Sequence, residues 1–326
     1  MTDSTSTPLT NHLLIMAYGG PDSMDDVRPY LLDVRHNRPT PEEIFQEVEE
    51  RYRLIGGRSP ILELTRAQGA GIEQALNEQA LAGETWKVWS GMRHWYPYIS
   101  ETIDEMRQAG VERFVTMVMA PHFSKMSIGA YNGVVAKAGA GMEAVSIDRW
   151  NLLPAYLDAL EERISDALQA FPEDVRAHVP IIFTAHSLPE KIRESQDPYE
   201  DDLYATFDAM KSRFPGHPAE WAFQSAAMTP EPWLGPDAGD VIDRLHADGA
   251  KHVLICPVGF VCEHVEILYD IDVEFAQQAD RLGIQLERIQ MVNDHPGMMA
   301  GLAQLVRERA KMAGWIETGA ITAVTH

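Results

Sequence analysis

Cysteine is almost missing from this chain. The two present among 326 residues, Cys256 and Cys262, cannot build an all-cysteine zinc site or ligate an iron–sulfur cluster, and they do not form a Cys-x-x-Cys pair. Two free thiols in a reducing compartment are expected. Long apolar runs are also missing: each ends at a charge or a turn residue, far short of the ~20 residues that span a bilayer. Met1 to Thr10 are rich in Ser and Thr and lack the basic and apolar regions of a signal peptide. They read as a short disordered tail, and the cytoplasm is the expected location. Basic residues are scarce, with 27 Lys and Arg against 49 Asp and Glu and a formal net charge of −22. That balance excludes nucleic acid as a natural partner and suits a small cation better. No Gly-x-Gly-x-x-Gly or Walker A loop occurs, and the Gly19-Gly20-Pro21 turn lacks the dinucleotide fingerprint. A nicotinamide dehydrogenase is therefore not expected.

What is present is a regular alternation. Short apolar stretches read as strands at His12–Tyr18, Trp86–Gly91, Phe114–Ala120, Ala144–Ile147, Ile181–Ala185, Trp221–Gln224, Val253–Phe260 and Leu286–Val292, with helical patterns between them. Such alternation predicts an α/β fold with parallel sheets, as one large sheet or two sheets of four. The length suits two domains. Two internal matches favour two similar halves. Leu14-Ile15-Met16-Ala17-Tyr18-Gly19-Gly20-Pro21 parallels Ile182-Phe183-Thr184-Ala185-His186-Ser187-Leu188-Pro189. Ile103-Asp104-Glu105-Met106 with Gly110 and Val115 parallels Ile242-Asp243-Arg244-Leu245 with Gly249 and Leu254. The expected division is a tail at 1–10, a first domain at 11–150 and a second at 151–326, with the last helix able to pack back on the first domain. Ligands of open parallel sheets bind beyond the carboxyl ends of the strands. Tyr18 and His186 hold equivalent positions there, so a cleft between the halves would receive both.

Several segments bear chemistry. His186, directly after a buried strand, offers a neutral imidazole for a metal or a proton. Downstream of Gly259-Phe260, the acids Glu266, Asp270 and Glu274 recur every four residues and predict one acidic stripe on a helix, with Glu266 nearest the strand end. A solvated helix face would look the same. The Arg-rich stretches around Arg35 and from Arg51-Tyr52 to Ser59-Pro60 suit a flat ligand bearing carboxylates. Arg38, Arg53 and Arg58 are expected instead to pair with neighbouring glutamates. His122, after another strand end, is as readily structural as functional. The Pro-rich loop from Gln224-Ser225 to Pro236 reads as a rigid connector or a cleft wall.

Together, Met16-Ala17-Tyr18-Gly19-Gly20-Pro21, Arg51-Tyr52, Ile55-Gly56-Gly57-Arg58-Ser59-Pro60, Ala120-Pro121-His122-Phe123-Ser124, Thr184-Ala185-His186-Ser187-Leu188-Pro189, Gln224-Ser225 with Pro232-Trp233-Leu234-Gly235-Pro236, and Gly259-Phe260 with His264-Val265-Glu266 resemble the ferrochelatase family. The resemblance runs in the family's order over about residues 12 to 310. It implies a chelatase fold: two Rossmann-like halves, each a four-stranded parallel sheet flanked by helices, with a porphyrin cleft between them. It implies Fe2+ insertion into a porphyrin, with iron as substrate, no required cofactor and no iron–sulfur cluster. It assigns His186 and Glu266 to the metal side. Tyr18, Arg35, Arg51, Tyr52, Ser59 and Tyr131 would line the porphyrin, and Asp270 and Glu274 would form an outer metal site. Tyr18, where protoporphyrin-type relatives tend to carry Met, points to coproporphyrin III and a role in haem biosynthesis. A protoporphyrin enzyme, a chelatase for another divalent metal and a non-enzymatic haem carrier are the alternatives. A monomer without a transmembrane segment is expected.

Overall fold

The computed structural model describes residues 9–316 apart from 82, 83 and 228. Among the described residues, eight strands form two separate parallel sheets of four, which settles the choice left open by the strand pattern. The first contains β1 (Leu9–Ala17), β2 (Glu84–Met92), β3 (Arg113–Val118) and β4 (Glu143–Ile147), in the order β2-β1-β3-β4. The second contains β5 (Ile181–His186), β6 (Ala219–Gln224), β7 (His252–Cys256) and β8 (Gln285–Arg288), in the order β6-β5-β7-β8. Helices cross over between strands. They are α1 (Val27–Val34), α2 (Glu42–Leu54), α3 (Ile61–Glu78), α4 (Ile99–Gln108) and α5 (Ile128–Ala138) in the first half. Then α6 (Pro154–Ala167) leads into the second half, followed by α7 (Tyr199–Arg213), α8 (Ala238–Ala247), α9 (Val265–Leu268), α10 (Ala276–Leu282) and α11 (Pro296–Met312). The central strands β1 and β5 are continuous apolar runs because helices cover both of their faces: Leu13 to Met16 and Ile181 to Phe183 are fully buried.

The duplication extends to residue register. Ala17 pairs with Met92 and Ala185 with Phe223; Leu13 pairs with Val115 and Ile181 with Leu254. Helices α4 and α8 are entered by the same bond, from Met92 N to Pro97 O at 2.7 Å and from Phe223 N to Pro236 O at 2.8 Å. They end alike, on Gly110 (φ +81°) and Gly249 (φ +95°). The next amides reach back into the helix, Val111 N to Met106 O at 3.0 Å and Ala250 N to Leu245 O at 2.9 Å.

Some boundaries differ from expectation. Residues 1–8 of the expected tail lie outside the described residues, while Leu9 and Thr10 already belong to β1, paired with Glu84 and Thr85. Strand β7 stops at Cys256 because Pro257 has no N–H to continue the ladder. The expected acidic helix is also interrupted. After α9 the chain winds as a π-helical turn from Asp270 to Phe275, with Glu274 N bonding to Tyr269 O, five residues back, at 3.0 Å.

The halves share one apolar core, in which Leu13 and Ile72 of the first pack with Phe183 and Leu254 of the second and with Leu302 and Val306 of α11. Helix α11 binds the first half directly: Arg307 pairs bidentately with Glu84 at 3.0 and 3.2 Å, and Arg309 Nε donates to Ser146 O at 2.9 Å. On the other side the loop after β3 docks on α7, through His122 with Thr206 (2.9 Å) and Phe123 N with Asp202 (3.1 Å). Among the described residues no helix is long and apolar enough to cross a membrane.

Candidate functional site

His186 ends β5. The segment that follows β7 must come close to it, and Gly259 makes that possible: a Cβ there would lie 2.6 Å from the Cβ of Ala185. This approach brings the first turn of α9 to the strand end and sets Glu266 Oε1 3.4 Å from His186 Nε2. Gln224, at the end of β6, holds the arrangement from below. Its amide accepts from Thr184 Oγ1 at 2.7 Å and donates to the Glu266 carbonyl at 2.8 Å. His186 Nδ1–H donates to the Ser187 carbonyl, which leaves Nε2 turned to Glu266. His264 approaches the other carboxylate oxygen, with Nε2 3.5 Å from Oε2.

Both side chains of the pair remain about one-third exposed, 32 % for His186 and 31 % for Glu266. Burial by itself would lower the His186 pKa, but the charge and hydrogen bond of Glu266, with help from the Ser187 carbonyl and Asp270, raise it to about 9. Burial would raise Glu266, yet His186 and His264 hold it well below the usual carboxylate range. At neutral pH the pair is therefore an imidazolium and a carboxylate. Asp270 is buried, accepts a hydrogen bond from Ser225 Oγ and lies 3.8 Å from an Arg51 nitrogen. Burial and the charge of Glu266 push it up to about 6, against Ser225 and Arg51. Glu274 is exposed. The expected single acidic stripe is thus divided by the π-helical turn, one acid inside and one outside.

Tyr18 follows β1 as His186 ends β5, and it is 40 % exposed. Crowding by the protein and the charge of Glu266 push its phenol up to about 12, so the tyrosine and the carboxylate share one electrostatic environment. Its ring rests on His94 at 4.7 Å between centroids. His94 Nδ1 in turn bonds to Asp33 Oδ1 at 2.8 Å, and Tyr98 OH donates to Asp33 Oδ2 at 3.3 Å.

The expected lining residues divide into two groups. Arg51 stands beside the acids, its guanidinium 4.9 Å from the Tyr269 ring centroid. Arg35 Nε donates to Thr40 Oγ1 at 2.8 Å and makes no bond to the His186–Glu266 pair. Tyr52, Ser59 and Tyr131 are buried at 2 %, 8 % and 3 % exposure, so they pack behind the wall rather than form its surface. Tyr52 meets the ring of Tyr30 edge-on, and Tyr131 lies under Arg93. Ser59 fills the space beside Gly20, where a Cβ would stand 2.5 Å from the serine Cβ. Arg53 pairs with Glu50, as expected, while Arg58 pairs instead with Glu63 of α3, and Arg38 makes no ion pair among the described residues. Sequence reasoning singled out Gln224-Ser225 without the anchoring role of Gln224 or the bond of Ser225 to Asp270, and it missed His94 and Asp33. The position of Gln224 opposite His186 follows from the β5–β6 register, and the others come together only through tertiary packing. Among the described residues, no three His, Cys, Asp or Glu side chains converge into a metal cage. An imidazole and a carboxylate alone would hold Fe2+ weakly, as suits a metal that is passed on.

The ferrochelatase family model matches residues 10–310. A ferrochelatase from Herpetosiphon aurantiacus is 38 % identical over 299 residues, covering 90 % of this chain and 97 % of that protein. A coproporphyrin III ferrochelatase from Listeria monocytogenes is 37 % identical over 303 residues, covering 91 % and 97 %. Among solved structures, SirB from Bacillus subtilis with Fe3+ is similar with a TM-score of 0.58 at 10 % identity, covering 95 % of this chain and all of that one. CbiX, the terminal enzyme of sirohaem biosynthesis in denitrifying bacteria, gives 0.54 at 13 % identity, covering 91 % and 99 %. At such low identity the structures establish the two-half chelatase fold and no more. With the family model spanning nearly the whole chain and relatives matched end to end, the chain belongs to the ferrochelatase family.

Proposed function

We propose that the chain inserts Fe2+ into coproporphyrin III, giving Fe-coproporphyrin III for haem biosynthesis. The observation that carries this reading is the His186–Glu266 pair at one strand end, electrostatically coupled to Tyr18 at the equivalent strand end of the other half. Insertion exchanges one Fe2+ for two pyrrole protons, and no electron moves. At rest the pair holds a proton on His186. Fe2+ arriving at Glu266 drives that proton to solvent, leaving a neutral imidazole and a carboxylate as donors. As the metal leaves the pair for the ring, the two groups accept the two pyrrole protons it displaces. Asp270, buried against Ser225, and Glu274, exposed beyond the π-helical turn, are the acids that follow along the chain.

Bending the ring tips its nitrogen lone pairs out of plane, at a cost of ~1–5 kcal/mol offset by contacts remote from the metal. Arg35 and Arg51 are the candidates to grip propionates, with Tyr52, Ser59 and Tyr131 as packing behind them. Coproporphyrin III carries more carboxylates than protoporphyrin IX, which suits that grip. Tyr18 would meet the product iron from the face opposite His186. The names of similar proteins support the same substrate. An anaerobic assay with Fe2+, following Soret absorbance with each porphyrin in turn, tests the proposal. Faster turnover with coproporphyrin III is expected; equal or faster turnover with protoporphyrin IX overturns the substrate, and binding without turnover overturns the activity.

A further inference from the structure

In each half a buried tyrosine ties down the turn that carries the cleft residue. Tyr199, the first residue of α7, donates its phenolic hydrogen to the backbone carbonyl of His186 at 2.9 Å, thirteen residues back. Tyr30, in α1, donates to the carbonyl of Gly19, the neighbour of Tyr18, at 3.3 Å and eleven residues back. Each tyrosine lies on a helix that follows the first strand of its half. The two bonds serve the same turn in each half, one ending on the cleft residue itself and the other on the residue that follows its counterpart.

Their anchoring differs. Tyr30 is held within the first half, edge-on to the rings of Tyr52 and Trp95 at 6.3 and 6.0 Å. Tyr199 is held from across the molecule. Asp197 Oδ1 accepts from the Tyr199 amide at 3.0 Å, while its Oδ2 accepts from Ser124 Oγ at 3.1 Å and from the Lys125 amide at 2.8 Å. Ser124 and Lys125 belong to the loop after β3 in the first half. The backbone of His186 is thus positioned through α7 against the half that bears Tyr18.

We propose that Tyr199 is a positioning residue for His186, and Tyr30 the matching one for Tyr18. The donor–acceptor bonds between phenol and backbone set where each cleft side chain stands. The inference rests on reading His186 and Glu266 as the metal-side pair.

Tyr199→Phe keeps the ring and removes only the donor. Two readouts separate this inference from the proposed activity. The first is Zn2+ affinity of the metal-free protein by calorimetry, with His186→Ala as reference. The second is steady-state Fe2+ insertion. Tyr199→Phe is expected to weaken Zn2+ binding and to raise the KM for Fe2+ by about tenfold, with the porphyrin KM unchanged. In a His186→Ala background it should weaken Zn2+ no further, because it acts through the imidazole. Tyr30→Phe should leave Zn2+ affinity unchanged and shift the absorbance of bound ferric coproporphyrin. Unchanged Zn2+ affinity in Tyr199→Phe overturns the brace, whatever turnover shows. Equal losses for metal and porphyrin, with a lowered Tm, also overturn it, since they mark general loosening. A wild-type protein without turnover whose Tyr199→Phe variant still loses Zn2+ affinity sinks the proposed activity and leaves the brace standing.

Discussion

Matched by their strand pairing, the two halves differ most at the residue that follows the buried part of the central strand. In the first half it is Tyr18, a phenol raised to about 12 and resting on His94. In the second it is His186, an imidazole raised to about 9 by its carboxylate partner. The scaffold around them is the same, down to Ala17 with Met92 and Ala185 with Phe223. A duplicated βα turn supplies position, and the side chain set on it supplies chemistry. In the second half the segment after β7 also delivers Glu266, because Gly259 lets it pass against Ala185. There the carboxylate stands against the histidine that ends the central strand, whereas in the first half the His94–Asp33 pair lies beneath Tyr18. The sharpest way to break this comparison is His186→Ala. It should lower kcat/KM for Fe2+ about a thousandfold, roughly 4 kcal/mol of lost transition-state stabilisation. The anaerobic Soret assay measures it, and near-normal insertion at saturating iron removes the assignment.

The halves are also bound to each other by a buried ion pair. Glu84, on β2, accepts from both terminal nitrogens of Arg307, on α11, and also from Trp86 Nε1 at 2.7 Å and the Leu81 amide at 3.0 Å. Both partners are 9 % exposed. Arg307→Ala leaves a buried carboxylate without its cation and should cost about 3 kcal/mol. Adding Glu84→Gln should recover part of that loss, because the uncompensated charge disappears. Urea unfolding followed by tryptophan fluorescence reads both. A single transition that moves as a unit is expected, since the apolar core runs through both halves. Two separated transitions in Arg307→Ala break the picture of one cooperative body.

A smaller effect is expected on the tyrosine side. Tyr18→Phe keeps the ring against His94 and removes the oxygen. If the first half contributes a product contact rather than the metal-side pair, kcat/KM for Fe2+ should fall by no more than about fivefold. The absorbance of bound ferric coproporphyrin should change at the same time. A loss as large as that of His186→Ala erases the division of labour between the halves.

Much of this arrangement was legible in the residues. Continuous apolar runs between helical patterns located the strands, and repetition of Ala17-Tyr18 as Ala185-His186 marked the shared turn. Local pattern alone does not reveal the rest. Acids spaced every four residues look the same on an α-helix and across a π-helical turn, so Asp270 read as a surface stripe although it is buried against Ser225. An aromatic residue beside arginines could face a ligand or pack behind it, and Tyr52 and Tyr131 pack behind. Gln224 acts through the β5–β6 register, which no single strand reveals. The His94–Asp33 contact joins residues 61 positions apart.

Two histidines, one in each half, also oppose each other in their response to pH: His122 in the loop after β3 and His186 at the end of β5. Burial lowers the His122 pKa from 6.5 to about 3, while its Nε2 bonds to Thr206 of the other half. The unfolded chain therefore binds the proton more readily than the folded one between those values. Its contribution to stability is present above 6.5 and is lost as pH falls. His186 has the opposite sign: its raised pKa contributes stability below 6.5, lost as pH rises through about 9. The wild-type profile mixes the two, so the His122 part must be read as a difference. Against His122→Gln, which stays neutral, the wild-type advantage in unfolding free energy should shrink by about 0.8 kcal/mol between pH 7.5 and pH 6.0. Urea unfolding of both proteins at each pH measures it. A constant difference means that His122 takes up its proton without disturbing the fold, and the contact with Thr206 then does not depend on a neutral ring.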